Sequence, residues 1–315
     1  MRMSISQAEV IVDRRQLKRR LFRWRILAIL AVLLALGSLF WSGGELKKHF
    51  DHIARIHIDG LITGDEATLN LLDGLAKSSR VKGVIIRIDS PGGTTAGSEA
   101  IYEKIRKIAK DKPVVAVMDT VAASGGYITA IAADYIVARG NTITGSIGVI
   151  FSFPEVSKLL DTLGIRMEEI KSGELKAEPT PYKPMSDRVR QVSNEMVQES
   201  FAWFTGLVVE RRKLSAERVK VLADGRVYTG RQAVTEKLID ALGGEEVALD
   251  WLQTEKKLPK DMEVVNWVNP LNADSAGLGF SVADTVLSVL GFEGLRRQVE
   301  SARLDGLLVL WHPQL

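Results

Sequence analysis

Apolar and polar positions are distributed unevenly along the chain. Ile26 to Trp41 is a run without a charge, and Leu21, Phe22 and Trp24 extend it if Arg23 and Arg25 reach outward. At about 1.5 Å per residue, a helix of about 21 residues spans roughly 30 Å, one hydrocarbon thickness. Arg14, Arg15, Lys18, Arg19, Arg20, Arg23 and Arg25 all precede the run's uncharged stretch. This asymmetry predicts one transmembrane helix with the N-terminus in the cytoplasm and the remainder outside. Trp24 and Trp41 would sit at its two interfaces. A cleaved signal peptide is the alternative, with Ala35-Leu36-Gly37 as a weak site, although apolar residues and Trp41 follow it. A buried core helix would tolerate the apolarity but not the arginine-rich lead.

Past a polar stalk at 42–52 the pattern changes to short β-branched runs alternating with amphipathic stretches. Ala54–Ile58 has period two, and Val81–Ile88 reads as a buried strand stopped by the turn signal Asp89-Ser90-Pro91-Gly92-Gly93. Pro113–Met118, Tyr135–Ala138, Ile147–Ile150 and Arg166–Ile170 read as further strands. Helices are predicted over Glu66–Lys77, Ala96–Ala109, Gly125–Ala133 and Pro154–Leu163. A long one follows over Ser186–Lys213, with Ser186-Asp187 as its cap. Residues 171–185 form a proline-containing loop, 214–256 are mainly helical, and 257–315 are less orderly. The alternation predicts an α/β sheet with helical layers. Leu307–Trp311 is apolar for a terminus and either packs on the chain's own core or docks against a partner subunit or the membrane.

Composition narrows the chemistry. The 315 residues contain no cysteine, which excludes disulfides, thiolate metal sites and a cysteine nucleophile. The net charge of +3 is carried by the first 25 residues, whose local charge is +6, so the remainder is about −3. A basic arm before an apolar run points to a membrane and away from a nucleic-acid-binding body. The four histidines are His49, His52, His57 and His312, so none lies between 58 and 311.

Two stretches could hold a reaction. In Ala122-Ala123-Ser124-Gly125-Gly126-Tyr127, small residues let a backbone approach Ser124, and N–H groups at a helix start suit a developing oxyanion. On its own that stretch favours a plain N-cap serine. Pro91-Gly92-Gly93 could point bare N–H groups into a cleft, or could simply turn the chain. It matches no nucleotide-binding glycine pattern. If Ser124 is a nucleophile it needs a base, and histidine is nearly excluded by position. Aspartate or glutamate could serve, but serine hydrolases without histidine often use lysine, which works only when neutral, a state that burial without a carboxylate partner can bring about. Lys171, Lys176 and Lys183 are the candidates, and spacing alone does not choose between them.

Taken together these motifs resemble those of the bacterial signal peptide peptidase A family, Ser/Lys-dyad membrane proteases, in its short single-repeat form. The resemblance runs from about Ile53 to Gly244. Its markers are Asp89-Ser90-Pro91-Gly92-Gly93, the Met118 to Tyr127 stretch, Ala132-Ala133-Asp134 and Thr144-Gly145-Ser146-Ile147-Gly148-Val149. Lys171-Ser172-Gly173-x-x-Lys176, Ala223 to Ala233 and Leu238 to Gly244 complete them in the family's order. The resemblance implies that Ser124 is the nucleophile, Lys176 the general base, and Ser146 the hydroxyl that positions the lysine. It places the oxyanion hole at the N–H groups of Gly93 and Gly125. Two departures stand near the site: Asp119-Thr120-Val121 replaces a small, glycine-containing stretch, and Pro179 and Pro181 follow Lys176 closely.

The fold so implied is α/β of the Clp protease and crotonase type behind the single transmembrane helix. The organisation expected is a basic cytoplasmic arm at 1–25, an anchor at 26–41, the stalk at 42–52, a protease domain at 53–256 and an extension at 257–315. The implied activity is a serine endopeptidase that degrades released signal peptides and other extended apolar peptides without metal or other cofactor. Its partners would be peptides, membrane lipid and further copies of itself in a ring, an assembly in which Ser124 and Lys176 can come either from one chain or from neighbouring subunits. It would sit in the bacterial inner membrane with its catalytic domain on the periplasmic side. A related Ser/Lys protease cutting one membrane partner, such as a stomatin-like protein, is the second reading. A non-catalytic membrane scaffold is the third.

Overall fold

The computed structural model describes residues 48–268 and 308–310, with a few helical positions between 22 and 29. The chain separates into Met1–Phe50 and Asp51–Leu315. In the first unit, Phe22, Trp24, Ile26 and Ile29 are helical and exposed. The span predicted over 26–41 lies almost wholly outside the described residues. Among those described, no helix is long and apolar enough to cross a membrane.

The second unit is built on one mixed sheet. Its strands are β1 (His52–Ile62), β2 (Val81–Thr94), β3 (Val114–Ala123), β4 (Tyr135–Ala138), β5 (Ile143–Gly145), β6 (Val227–Thr229), β7 (Ala241–Leu242), β8 (Val264–Asn266) and β9 (Leu308–Leu310). The main path runs β6-β5-β3-β2-β1-β8, with β4 beside β3, β7 beside β4, and β9 beside β2. Pairings are parallel except β5–β6 and β2–β9. Parallel neighbours need crossovers, and helices supply most of them here: α1 (Glu66–Lys77) joins β1 to β2, and α2 (Thr95–Ile108) joins β2 to β3. Asp65 caps the first through Thr68 N–H (2.8 Å), and Thr94 caps the second through Gly97 N–H (3.1 Å).

Alternation along the central strands builds a core on each face. Val84, Ile86 and Ile88 of β2 join Leu72, Ile101, Ile105 and Ile128 in one cluster. Ile85 joins Ile53, Val115, Val117 and Val137 in the other, beneath Ala248 and Leu252 of a helix at Glu245–Thr254. Tyr127, fully buried, donates its hydroxyl to Leu238 C=O at 2.9 Å, and burial holds its phenol well above the usual tyrosine range.

Three expectations need correction. The strand from Val81 does not stop at Asp89. It runs to Thr94 through a register shift between Ile88 and Ser90 against β3, where Asp89 Oδ1 accepts Val121 N–H at 3.0 Å. The strand expected at Ile147–Ile150 lies at Ile143–Gly145. There it pairs with Val121–Ala123, and positive φ at Gly145 and Ser146 ends it. Arg166–Ile170 has strand-like alternation but no strand partner among the described residues, and it lies exposed outside the sheet. The long helix runs over Asp187–Arg212, with Ser186 Oγ accepting Val189 N–H at 3.3 Å as its cap.

Candidate active site

Ser124 stands where β3 ends and the short helix Gly125–Ile131 begins. It occupies the N-cap position, and its C=O accepts Ile128 N–H at 2.9 Å, but its side chain makes no capping bond. Its backbone has φ 54 and ψ −114. A residue with a Cβ adopts that region at a cost of about 1–3 kcal/mol, and only where its surroundings enforce it. The residue is 1% exposed, and its hydroxyl has no hydrogen-bond partner among the described residues. An N-cap serine would spend that oxygen on the helix, so the simple cap reading does not describe Ser124.

The enforcing contacts come from both neighbouring strands. Ala123 pairs with Gly145, and Ser124 N–H donates to Gly145 C=O at 2.8 Å. Ser146 follows immediately, also at positive φ (49), with its N–H donated to Arg226 C=O at 2.8 Å. Its side chain is largely buried. The two serines therefore hang from the ends of adjacent strands. On the other side Ser90 pairs with Ala122, and Ser90 C=O lies against Gly126, where an added Cβ would meet it at 2.7 Å. Gly93 pairs with Ile62 of β1, and a Cβ there would lie 1.9 Å from Ile62 C=O. Both positions accept only glycine because backbone crosses backbone there, not because a turn demands it.

The glycine pair is held by Ser90. Its Oγ accepts Gly92 N–H at 3.1 Å and donates to Gly92 C=O at 3.3 Å. Sequence reasoning quoted Ser90 within its motif but gave it no task, and the spacing carries no signal of one.

The three lysines differ in their partners. Lys171 Nζ bonds Glu169 (2.8 Å) and Glu178 (2.9 Å), and these bonds, to Glu169 first and Glu178 second, hold its ammonium above the usual lysine range. Lys183 Nζ lies 2.5 Å from the largely buried Glu178 carboxylate. Glu178 is held below the usual carboxylate range by Lys183 and then Lys171. Lys176 is exposed in a turn closed by its own N–H on Gly173 C=O (3.1 Å), and it has no ion pair among the described residues. Within one chain, Ser124, Gly125 and Ser146 come together beside the Ser90–Gly93 segment, and Lys176 makes no hydrogen bond to Ser124 Oγ.

Comparison with known proteins gives the family of the chain. Residues 106–259 match the profile described as Peptidase family S49. A candidate protease of Methanocaldococcus jannaschii is 35% identical over 237 residues, covering 74% of this chain and 76% of that protein. A candidate signal peptide peptidase SppA of Enterococcus faecium is 38% identical over 295 residues, covering 82% and 86%. Among solved structures, a ClpP1 variant from Listeria monocytogenes aligns with a TM-score of 0.42 at 17% identity, over 60% of this chain and 91% of that one. With a matched family profile and relatives similar along most of their own length, this chain belongs to peptidase family S49.

Proposed function

We propose that the chain is a membrane-anchored serine endopeptidase in which Ser124 attacks the peptide carbonyl and Lys176 of a neighbouring subunit accepts the hydroxyl proton. The observation that carries this reading is Ser124 itself: a buried hydroxyl with no partner among the described residues, on a backbone whose strain only surrounding structure maintains. The forming oxyanion would rest on the N–H groups of Gly93 and Gly125. Collapse breaks the C–N bond, and the lysine passes its proton to the leaving amine. Water then cleaves the serine ester, with Ser146 orienting the amine.

Carboxylate pairing argues against both alternatives as the base: Glu169 and Glu178 hold Lys171 as an ammonium that cannot take a proton, and Lys183 Nζ is engaged by the Glu178 carboxylate. Supply from a neighbour is supported by the lack of any bond to Ser124 Oγ among the described residues. It is also supported by the apolar side chains exposed along the segment that leads to Lys176 in sequence, among them Leu159, Leu163, Met167, Ile170 and Leu175. Extended apolar peptides, including released signal peptides, are the substrate class. The edge of β2 at Gly92–Thr94 already carries an antiparallel strand, Leu308–Leu310, so its backbone is presented for such pairing. The arginine-rich arm and the 26–41 run would hold the protease at the outer face of the inner membrane.

The test is hydrolysis of an apolar peptide by the full chain and two variants. Ser124→Ala and Lys176→Ala are each expected to lower turnover by about 10³-fold or more, with assembly unchanged. Full activity in Lys176→Ala would overturn the assignment of the base, and full activity in Ser124→Ala would overturn the reading as a whole.

A further inference from the structure

We infer that Ser90 is a positioning residue that aims the Gly93 N–H by fixing the peptide unit between Gly92 and Gly93; this rests on the serine-peptidase reading above. Gly92 has φ 117, a conformation rarely adopted by residues with a Cβ. A peptide unit flanked by two glycines is the freest in a chain to rotate as a plate, since no Cβ on either side resists it. An oxyanion donor must instead be fixed before charge develops, because reorganising it during the reaction forfeits its benefit.

Pairing with Leu61 and Ile62 of β1 and with Leu310 and Val309 of β9 holds the two glycines in the sheet. Ser90 adds the side-chain restraint on the peptide between them. It is fully buried, and its hydroxyl bonds both polar groups of Gly92. The bond from Gly92 N–H removes that amide from the pool of donors. The bond to Gly92 C=O acts on the next amide as well. Gly92 C=O and Gly93 N–H belong to one planar trans peptide, in which the two groups point in opposite directions. Holding the oxygen at Ser90 Oγ therefore turns the Gly93 N–H away from Ser90. The same residue's C=O rests on Gly126, within the helix turn that begins just after Ser124. Ser90 thus ties the glycine pair and the nucleophile's helix to one buried point. Its geometry also selects between the two glycines, since Gly92 N–H is already spent.

The experiment is steady-state hydrolysis by full-length wild type, Ser90→Ala and Ser90→Thr, with inhibition by a peptide boronic acid measured beside it. Ser90→Ala is expected to lower kcat by about 10–100-fold, somewhat less than loss of a whole oxyanion donor, with KM within about twofold of wild type. Boronate affinity should fall in parallel with kcat, because the tetrahedral adduct uses the same donor, while affinity for a product peptide stays unchanged. Ser90→Thr, which keeps the oxygen, should recover most of the loss. A purely structural role would instead lower peptide affinity and thermal stability along with kcat, and that pattern overturns the inference. Wild-type kcat in Ser90→Ala overturns it too.

Should Ser90→Ala not fold, amide exchange on the wild type decides. When boronate binds, Gly93 should gain protection beyond what its pairing with Ile62 and Val309 already gives, and Gly92 should not change. Unaltered exchange at Gly93 overturns the inference. An unreactive wild type, in which boronate and peptide leave Ser124 untouched, would overturn the serine-peptidase reading and this inference together.

Discussion

The Ser124 N–H donates to the Gly145 carbonyl at 2.8 Å, so the buried hydroxyl-bearing residue and Ser146 are fixed to the ends of two paired strands. Both serines have left-handed φ, and both owe it to main-chain contacts made across the sheet. The position of Ser124 thus depends on strand register, and the strain it carries can be measured.

At an ordinary helical or extended position, alanine is more stabilising than glycine by roughly 0.5–1 kcal/mol. At position 124 the order should invert. Ser124→Gly is expected to exceed Ser124→Ala by about 1 kcal/mol in denaturant unfolding, because only glycine relieves the φ of 54. Both variants should be inactive. Equal stabilities, or the usual order, would show that the backbone there is not strained.

If the dyad is shared between subunits, two dead proteins should make a live one. Equal mixing of Ser124→Ala and Lys176→Ala subunits, dissociated and reassembled, is expected to restore about a quarter of wild-type activity, since random neighbours then combine one intact serine with one intact lysine. A mixture as inactive as its components would place both groups in a single chain.

The turn bearing Lys176 is flanked by the Lys171–Glu178–Lys183 cluster, which should respond to pH in a defined direction. Glu178 is depressed in the folded chain, so its contribution is present above the ordinary carboxylate value and lost as pH falls through the depressed one. Lys171 is raised, so its contribution is present below the ordinary lysine value and lost as pH rises through the raised one. The cluster should hold between about pH 5 and 10 and open in stronger acid. Limited proteolysis between 165 and 185 is expected to accelerate below about pH 4, and Glu178→Gln should show that acceleration already at pH 7. Cleavage independent of both would separate the cluster from the ordering of this turn.

Leu308–Leu310 lies on the β2 edge at Gly92–Thr94, the segment expected to receive substrate. Deleting residues 307–315 should free that edge and lower KM for an extended apolar peptide several-fold. An unchanged KM would mean that substrate binds elsewhere or that the tail leaves the edge without cost.

Much of the fold was legible from the period-two pattern of Ala54–Ile58 and the β-branched run Val81–Ile88, whose Ile85 and Ile86 enter two separate cores. The cap at Ser186 and the helix ends at Glu66 and Lys77 were legible too, since local chemistry sets them. The misplaced strands share one cause. Pairing is decided by the neighbour, and Val121–Ala123 takes Ile143–Gly145 as its partner while Arg166–Ile170 has none among the described residues. In the site, motif order pointed to Ser124, but its strained φ and unpartnered hydroxyl come from contacts far along the chain. The choice among the three lysines was closed to spacing, because it turns on which ones meet Glu169 and Glu178. Ser90 was overlooked because a serine in a turn signal ordinarily does no more than turn the chain.

The most direct test of the account is intact-mass analysis after treatment with a serine-directed phosphonate, on wild type, Ser124→Ala and Lys176→Ala. The account predicts one adduct per chain on wild type, none on Ser124→Ala, and strongly slowed labelling of Lys176→Ala. An adduct that persists on Ser124→Ala, or a correctly assembled wild type that takes none, would contradict it.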